Sequence, residues 1–290
     1  MTTSPHPLGD ARVGVVGTGA MAEAMLAGML SQGLVDPGQV LCSHPRAERR
    51  AALEEAYGVA TTHDNASAAR GADIVLLAVK PQVVPEIAPE LRDALTDRQL
   101  VVSVVAGAST HALGGGLAHP AIVRSMPNTP AQIGQGVTVW YATDSVTAEQ
   151  KARTRTILGA LGREFEVHDE RQVAMATAVS GTGPTYIFLF IEALVDAAVH
   201  LGFPRHVARE LVLDTMQGSA AFALQSGRHV AELRDMVTSP GGTSAEALYQ
   251  LERGRLRTVV SDAVWAAFER VQEIEARLEG RPAPPRQRRP

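Results

Sequence analysis

A chain of 290 residues and 30.7 kDa is longer than most single domains and can bury a sizeable core, which favours two domains. With 45% hydrophobic and 20% charged residues it has ordinary globular composition, which excludes a wholly disordered chain. A net charge of −4 and a pI near 6.1 supply no overall attraction to nucleic acid or an anionic membrane, and the single cysteine, Cys42, cannot close an internal disulfide, so a reducing cytoplasm is the expected compartment.

Residues 1–10 hold no apolar stretch of the signal-peptide kind and are expected to be a disordered N-terminal segment. From residue 11 to 168, short β-branched runs alternate with Ala-rich helical stretches. Val13–Val16 is the first predicted strand, followed by a glycine turn and a helix over Met21–Gln32, and Val40–Cys42 is a short second strand. Ile74–Val79 and Leu100–Val105 are continuous apolar runs, as parallel strands covered on both faces require. Ile122–Val123, Val137–Tyr141 and Phe165–Val167 supply further strands. This alternation predicts an α/β domain with a Rossmann-type doubly wound sheet over 11–168.

After Val167 the pattern becomes helical. Pro184–Leu201, Pro204–Ser226, Ser244–Arg253 and Leu256–Leu278 read as helices with no strand between them, so an all-α domain is expected over 169–279. Pro184 and Pro204 suit first turns, where a missing N–H costs nothing. Pro184–Leu201 is the most apolar long stretch, but Glu192 and Asp196 interrupt it, which argues for a buried soluble helix over a membrane span. Residues 280–290, rich in Arg and Pro, have little to bury and are expected to form a disordered tail.

The strongest local signal is Gly17-Thr18-Gly19-Ala20-Met21-Ala22, a G-x-G-x-x-A turn between a strand and a helix. The first Gly permits a tight turn, the second lets the backbone approach a pyrophosphate, and the small third residue allows close helix–strand packing. An NAD-type site carries a carboxylate at the end of the second strand, whereas here that end reads Ser43-His44-Pro45-Arg46. A hydroxyl, an imidazole and a guanidinium suit a 2′-phosphate, which favours NADPH, although a solvated loop has the same composition.

Lys80, in Val79-Lys80-Pro81, follows the IVLLAV strand at the edge where α/β ligands bind; a plain strand-end lysine reads the same from position alone. Asn128, in Met126-Pro127-Asn128-Thr129-Pro130, presents a polar group that can meet a cofactor amide. Ser180-Gly181-Thr182-Gly183-Pro184 is a Gly-rich joint, either a hinge or a ligand turn. In Thr238-Ser239-Pro240-Gly241-Gly242-Thr243-Ser244, two glycines before a helix leave bare N–H groups that can hold a carboxylate, or form an ordinary cap. No zinc spacing, nucleophile elbow or Walker loop is present, so no metal is expected.

Taken together, GTGAMAEAM, AVKPQ, VVAG, MPNTPA, SGTGPTY and TSPGGTS resemble, in order and over roughly residues 12–260, the pyrroline-5-carboxylate reductase family. That resemblance implies reduction of a cyclic imine, 1-pyrroline-5-carboxylate, to L-proline with NADPH or NADH. It also implies a helical domain that pairs two chains into a homodimer, in some members assembled to a decamer. Carried over by position, the GTGAMA turn holds the pyrophosphate, Ser43 and Asn65 face the adenosine ribose, and Val79, Lys80, Pro81 and Ala106 line the cofactor. Gly241, Gly242 and Thr243 bind the substrate carboxylate, and the Ser244 hydroxyl touches the imine nitrogen as the catalytic residue. Many relatives carry a second threonine where this chain has Ser244. A β-hydroxyacid dehydrogenase shares the two-domain plan, but its helical-domain lysine has no counterpart here, since no lysine follows Lys151. A reductase of other cyclic imines and a catalytically silent NADP(H) sensor are the remaining rivals.

Overall fold

The computed structural model of the chain describes residues 8–285; the remainder of the two predicted disordered ends lies outside the described residues. Leu8, inside the first of those segments, is buried against the core, and the Gly9 carbonyl accepts a hydrogen bond from Gln39 Nε2 at 3.0 Å. The chain is therefore anchored before residue 11.

The first part alternates strands and helices: β1 (Val13–Val16), α1 (Ala20–Ser31), β2 (Val40–Ser43), α2 (Ala47–Tyr57), β3 (Ala60–Thr62), α3 (Asn65–Ala69), β4 (Ile74–Leu77), α4 (Val84–Ala94), β5 (Leu100–Ser103), α5 (Thr110–Leu117), β6 (Ile122–Met126), β7 (Gly136–Ala142), α6 (Ala148–Gly159) and β8 (Gly162–Glu166). All eight strands join one sheet in the order β3-β2-β1-β4-β5-β6-β7-β8. The first six run parallel, β7 turns antiparallel to β6, and β8 is parallel to β7. Side chains alternate across the pleat, so Ile74 and Leu76 enter one core with Val13, Val15 and Met25. Val75 and Leu77 enter a second core with Val16, Leu91 and Leu113. This is why β4 reads as an unbroken apolar run. Burying each such side chain contributes roughly 1.5–3 kcal/mol. Cys42 lies in the first core, and burial pushes its thiol up to about 12, so it is inert.

β3 went unpredicted because Ala60-Thr61-Thr62 is a short edge strand, partly exposed and lacking an apolar run. The helical part contains α7 (Arg171–Ala176), a π-helical turn (Thr177–Gly181), α8 (Gly183–His200), α9 (Arg205–Ser226), α10 (Val230–Met236), α11 (Thr243–Arg253) and α12 (Leu256–Leu278). α10 was also unforeseen: its N-cap is His229, whose ring nitrogen accepts from Ala231 N–H at 3.2 Å, a cap outside the usual Ser/Thr/Asp/Asn set.

The chain forms two compact units, one comprising the residues up to Thr182 together with those from Ala267 onward, the other Gly183–Ala266. The division thus falls later than the expected boundary at 168, and the C-terminal half of α12 belongs to the first unit. Residues 171–200 run as one helical stretch that by length and composition alone could cross a membrane. The expectation of a buried helix is not met within one copy of the chain, for Val195 is the only residue of α8 fully buried. Ile187, Phe188, Leu189 and Leu194 stay exposed.

Candidate active site

Six parallel strands place their carboxyl ends on one edge of the sheet, and β1 lies between β2 and β4, where the order of connection reverses. Open α/β sheets bind ligands at that reversal. The turn after β1 is shaped by two glycines of different kinds. Gly17 has φ +84°, and a Cβ there would stand 2.6 Å from Val79 Cγ1, so both backbone and packing demand glycine. Gly19 has φ −75°, and a Cβ would meet nothing within 4 Å. Neither strain nor crowding accounts for it. It leaves open space at the mouth of α1, where no side chain caps the first turn and the N–H groups of Ala20, Met21 and Ala22 point outward. Such a mouth can hold a phosphate, and the small Ala22, fully buried, seats α1 on the sheet.

The end of β2 differs in detail from expectation. Ser43 is fully buried, and its hydroxyl donates to Asn65 Oδ1 at 2.7 Å. It therefore faces inward and cannot meet a ribose directly, acting instead as a support for Asn65. Asn65 Nδ2 in turn donates to Glu90 at 2.6 Å. Thr18 is likewise buried.

Four basic residues gather at this strand end. Arg49 donates to the Thr18 carbonyl at 3.1 Å and pairs with Glu23 at 2.6 Å, and Arg50 donates to the carbonyls of His44 and Pro45. The guanidinium of Arg46 is exposed and makes no hydrogen bond or ion pair among the described residues. Burial and then the charges of Arg46, Arg49 and Arg50 push the His44 imidazole below its ordinary range. The result is an electropositive strand end with one uncommitted guanidinium. Arg49 was not foreseen; its only sequence signal is its position in the first turn of α2, three residues after Arg46.

Val79 lies against Gly17, Lys80 precedes a short 3-10 turn (Pro81–Val83) with its side chain exposed, and Ala106 is partly buried in the turn after β5. Asn128 departs from expectation. Its Nδ2 donates to the Ser180 carbonyl at 3.1 Å and its Oδ1 accepts from Val137 N–H at 2.9 Å, so the amide ties the loop after β6 to the π-helical turn. Those two bonds orient the amide and leave one Nδ2 hydrogen and one Oδ1 lone pair unspent.

In the second unit, Gly241 takes φ +71° and Gly242 becomes the N-cap of α11. A Cβ on Gly242 would collide with Ser239 Oγ, so a side chain there requires the serine hydroxyl to turn away. Because Gly242 brings no side chain to cap the helix, the N–H groups of Thr243 and Ser244 form a second open helix mouth suited to a carboxylate. Ser244 is partly buried at the second helical position, while Thr243 and Gly241 are exposed. The predicted residues thus gather into two groups, the nucleotide-type set on the sheet edge of the first unit and the Gly241–Ser244 set in the second. Among the described residues no group of three or more His, Cys, Asp or Glu is placed to hold a metal ion.

Residues 170–274 match the family described as pyrroline-5-carboxylate reductase dimerisation, and residues 12–107 match NADP oxidoreductase coenzyme F420-dependent. A pyrroline-5-carboxylate reductase of Synechocystis is 39% identical over 263 residues, 91% of this chain and 98% of that protein. The Escherichia coli enzyme of that name is 36% identical over 91% of this chain and 98% of its own length. Among solved structures, a pyrroline-5-carboxylate reductase of Coxiella burnetii superimposes with a TM-score of 0.83 at 37% identity, covering 91% of this chain and 98% of the other. Plasmodium falciparum pyrroline carboxylate reductase with NADP bound gives 0.84 at 30% identity, again over 91% and 98%. With the two helix mouths both present and the likeness running the length of either chain, this protein belongs to the pyrroline-5-carboxylate reductase family.

Proposed function

We propose that the chain reduces 1-pyrroline-5-carboxylate to L-proline, the last step of proline synthesis, with NADPH, or NADH, as hydride donor. The observation that carries this reading is the pair of open glycine helix mouths, one at Gly19 on the sheet edge and one at Gly242 before α11. The first suits a pyrophosphate and the second a small carboxylate. The cytoplasm is the proposed compartment. The direct test is loss of NADPH absorbance with 1-pyrroline-5-carboxylate, against a 2-hydroxy acid as control. Turnover of the acid alone would refute the assignment, and NADPH binding without turnover of either would favour the silent sensor.

The reduced nicotinamide supplies a hydride to the imine carbon when it is bound. The protein's own residues bind and orient. The Gly17–Ala22 turn anchors the phosphates, and Arg46 with His44 meets the 2′-phosphate. Asn65 on its Ser43 support lies beside the ribose, Val79, Lys80, Pro81 and Ala106 border the nucleotide, and the Thr243 and Ser244 amides grip the substrate carboxylate, the Gly242 N–H being held by the Ser239 carbonyl at 3.0 Å. A protonated imine is the better electrophile, and solvent can deliver that proton, so the Ser244 hydroxyl need only hold the nitrogen in place. Orientation of this kind contributes up to roughly 7–11 kcal/mol.

Ser244→Ala is expected to lower kcat/KM for the imine about tenfold while the NADPH dissociation constant stays within about twofold, measured by steady-state kinetics and fluorescence titration. An unchanged kcat/KM would remove Ser244 from the site. Arg46→Ala is expected to weaken NADPH about tenfold and NADH less than twofold, since only the former carries the phosphate that a free guanidinium pairs with. Equal losses for both nucleotides would contradict the assignment, and His44→Ala should follow Arg46→Ala with a smaller effect.

The working form is a homo-oligomer, with a homodimer as the unit and a decamer as a higher assembly. The second unit supports the pairing of two chains on its own. Among its apolar residues only Val195 and Ala208 are buried, and of the large exposed apolar side chains among the described residues all but Ile133, Phe165, Met175 and Val179 lie between residues 183 and 266. So small a core does not stabilise a helical unit, whereas a second copy covering α8 and α9 would. It also accounts for an apolar α8 without a membrane.

A further inference from the structure

We infer that the last turns of α12 brace the Ala106–Thr110 turn at the nucleotide site, and that Glu279 is a positioning residue for nicotinamide-nucleotide binding. This rests on the reading of that turn as a wall of the site. The turn leaves the carboxyl end of β5, the strand next to β4 and therefore next to the Val79–Pro81 segment. Gly107 takes φ +70°, and a Cβ there would stand 2.6 Å from Ile274 Cγ2. α12 thus presses on the turn so closely that only glycine fits beneath it.

Polar contacts hold the same turn from both ends. Ser109 Oγ accepts from Ala112 N–H at 3.1 Å as the N-cap of α5, and donates its own proton to Glu279 Oε1 at 2.5 Å. Glu279 therefore orients the hydroxyl so that its lone pair faces the helix. One residue on, Glu170 accepts from both Thr110 N–H and Thr110 Oγ1, at 2.7 and 2.6 Å. Glu170 is fixed by Arg124, which is almost wholly buried and also pairs with Glu275 on α12 at 2.6 Å. Burial alone would raise the Glu279 carboxyl, but hydrogen bonds from Ser109 and Arg281 and the Arg281 charge outweigh it and hold it below the ordinary range. Glu279 therefore remains an acceptor at neutral pH.

The match to the dimerisation family ends at residue 274, so Glu275, Glu279 and Arg281 lie beyond it. Loss of the Glu279 contact leaves the Ser109 hydroxyl free to rotate and the turn held only by Glu170 and Ile274, while the Gly241–Ser244 segment is untouched.

The test compares Glu279→Ala, Glu279→Gln and Ile274→Ala with the parent protein. Amide hydrogen exchange across residues 104–112 is followed without ligand, and the NADPH dissociation constant is measured by fluorescence. Glu279→Ala is expected to speed that exchange about tenfold and to raise the NADPH dissociation constant about fivefold, with KM for the imine within about twofold. Glu279→Gln, which keeps an acceptor for Ser109, should restore both readouts, and Ile274→Ala should move them in the same direction as Glu279→Ala. Unchanged exchange in both Glu279→Ala and Ile274→Ala overturns the brace. Faster exchange with an unchanged dissociation constant overturns the positioning role. Failure of the parent protein to bind NADPH is a different result: it removes the functional reading, whereas exchange without ligand still reads the brace.

Discussion

Gly19→Val is expected to raise the NADPH dissociation constant more than about a hundredfold while costing the fold only about 1 kcal/mol. The two glycines of the turn make this the most informative substitution. At Gly17 any side chain is strained by φ +84° and meets Val79, so lost binding there would be confounded by lost stability. At Gly19 the backbone lies at φ −75° and ψ −175°, an extended conformation open to every residue, and no protein atom stands within 4 Å of a Cβ. A side chain begun in that open space reaches toward a ligand drawn up to the N–H groups of α1. The modest stability cost arises because Gly is a better N-cap than a β-branched residue. Thermal unfolding and fluorescence titration together check the prediction. Near-parental binding by a folded Gly19→Val protein would mean that the phosphates do not lie at this helix mouth.

Leu189→Glu is expected to convert the homo-oligomer to monomer and to abolish imine reduction. Leu189 is 66% exposed on α8 in a single copy, among Ile187, Phe188 and Phe190, yet it sits in a unit whose core is too small to stand alone. Covered by a second chain, it contributes roughly 1.5–3 kcal/mol, and a carboxylate in its place adds several kcal/mol for burying an unpaired charge. Together these raise the dimer dissociation constant by more than about a thousandfold. Activity falls with assembly because α11, which carries Thr243 and Ser244, belongs to the unit that loses its support. Light scattering and steady-state kinetics on the same sample read both effects. A fully active dimer with Glu at 189 would place the interface elsewhere.

Much of the nucleotide domain was legible because its signals are local. β1 was predicted to the residue, and β4 and β5 were located from apolar runs that needed only a count of consecutive side chains. The glycine turn was equally legible, as was a helix start after Gly241 and Gly242, which the structure places at Thr243, one residue before the predicted Ser244. Ser43 and Asn128 were read less well. Both are polar residues at strand ends, the usual mark of a ligand contact, yet both make internal hydrogen bonds, to Asn65 and to Ser180 and Val137.

What the amino-acid order alone determined is the strongly apolar strands and the long helices, the two glycine turns ahead of helices and, through the combined motifs, the family; the short β3 and α10 escaped it. Hydrophobic periodicity and backbone freedom act over a few residues, and no partner is needed to read them. What only the tertiary structure decided is how each polar group is employed. Arg46 is left uncommitted while Arg49 and Arg50 are not, Asn128 clasps a turn 52 residues away, and α12 ends in the first unit against Gly107 and Ser109. A donor's partner is chosen by whichever elements the sheet and helices bring within about 3 Å, and that proximity is not encoded in any short stretch of chain.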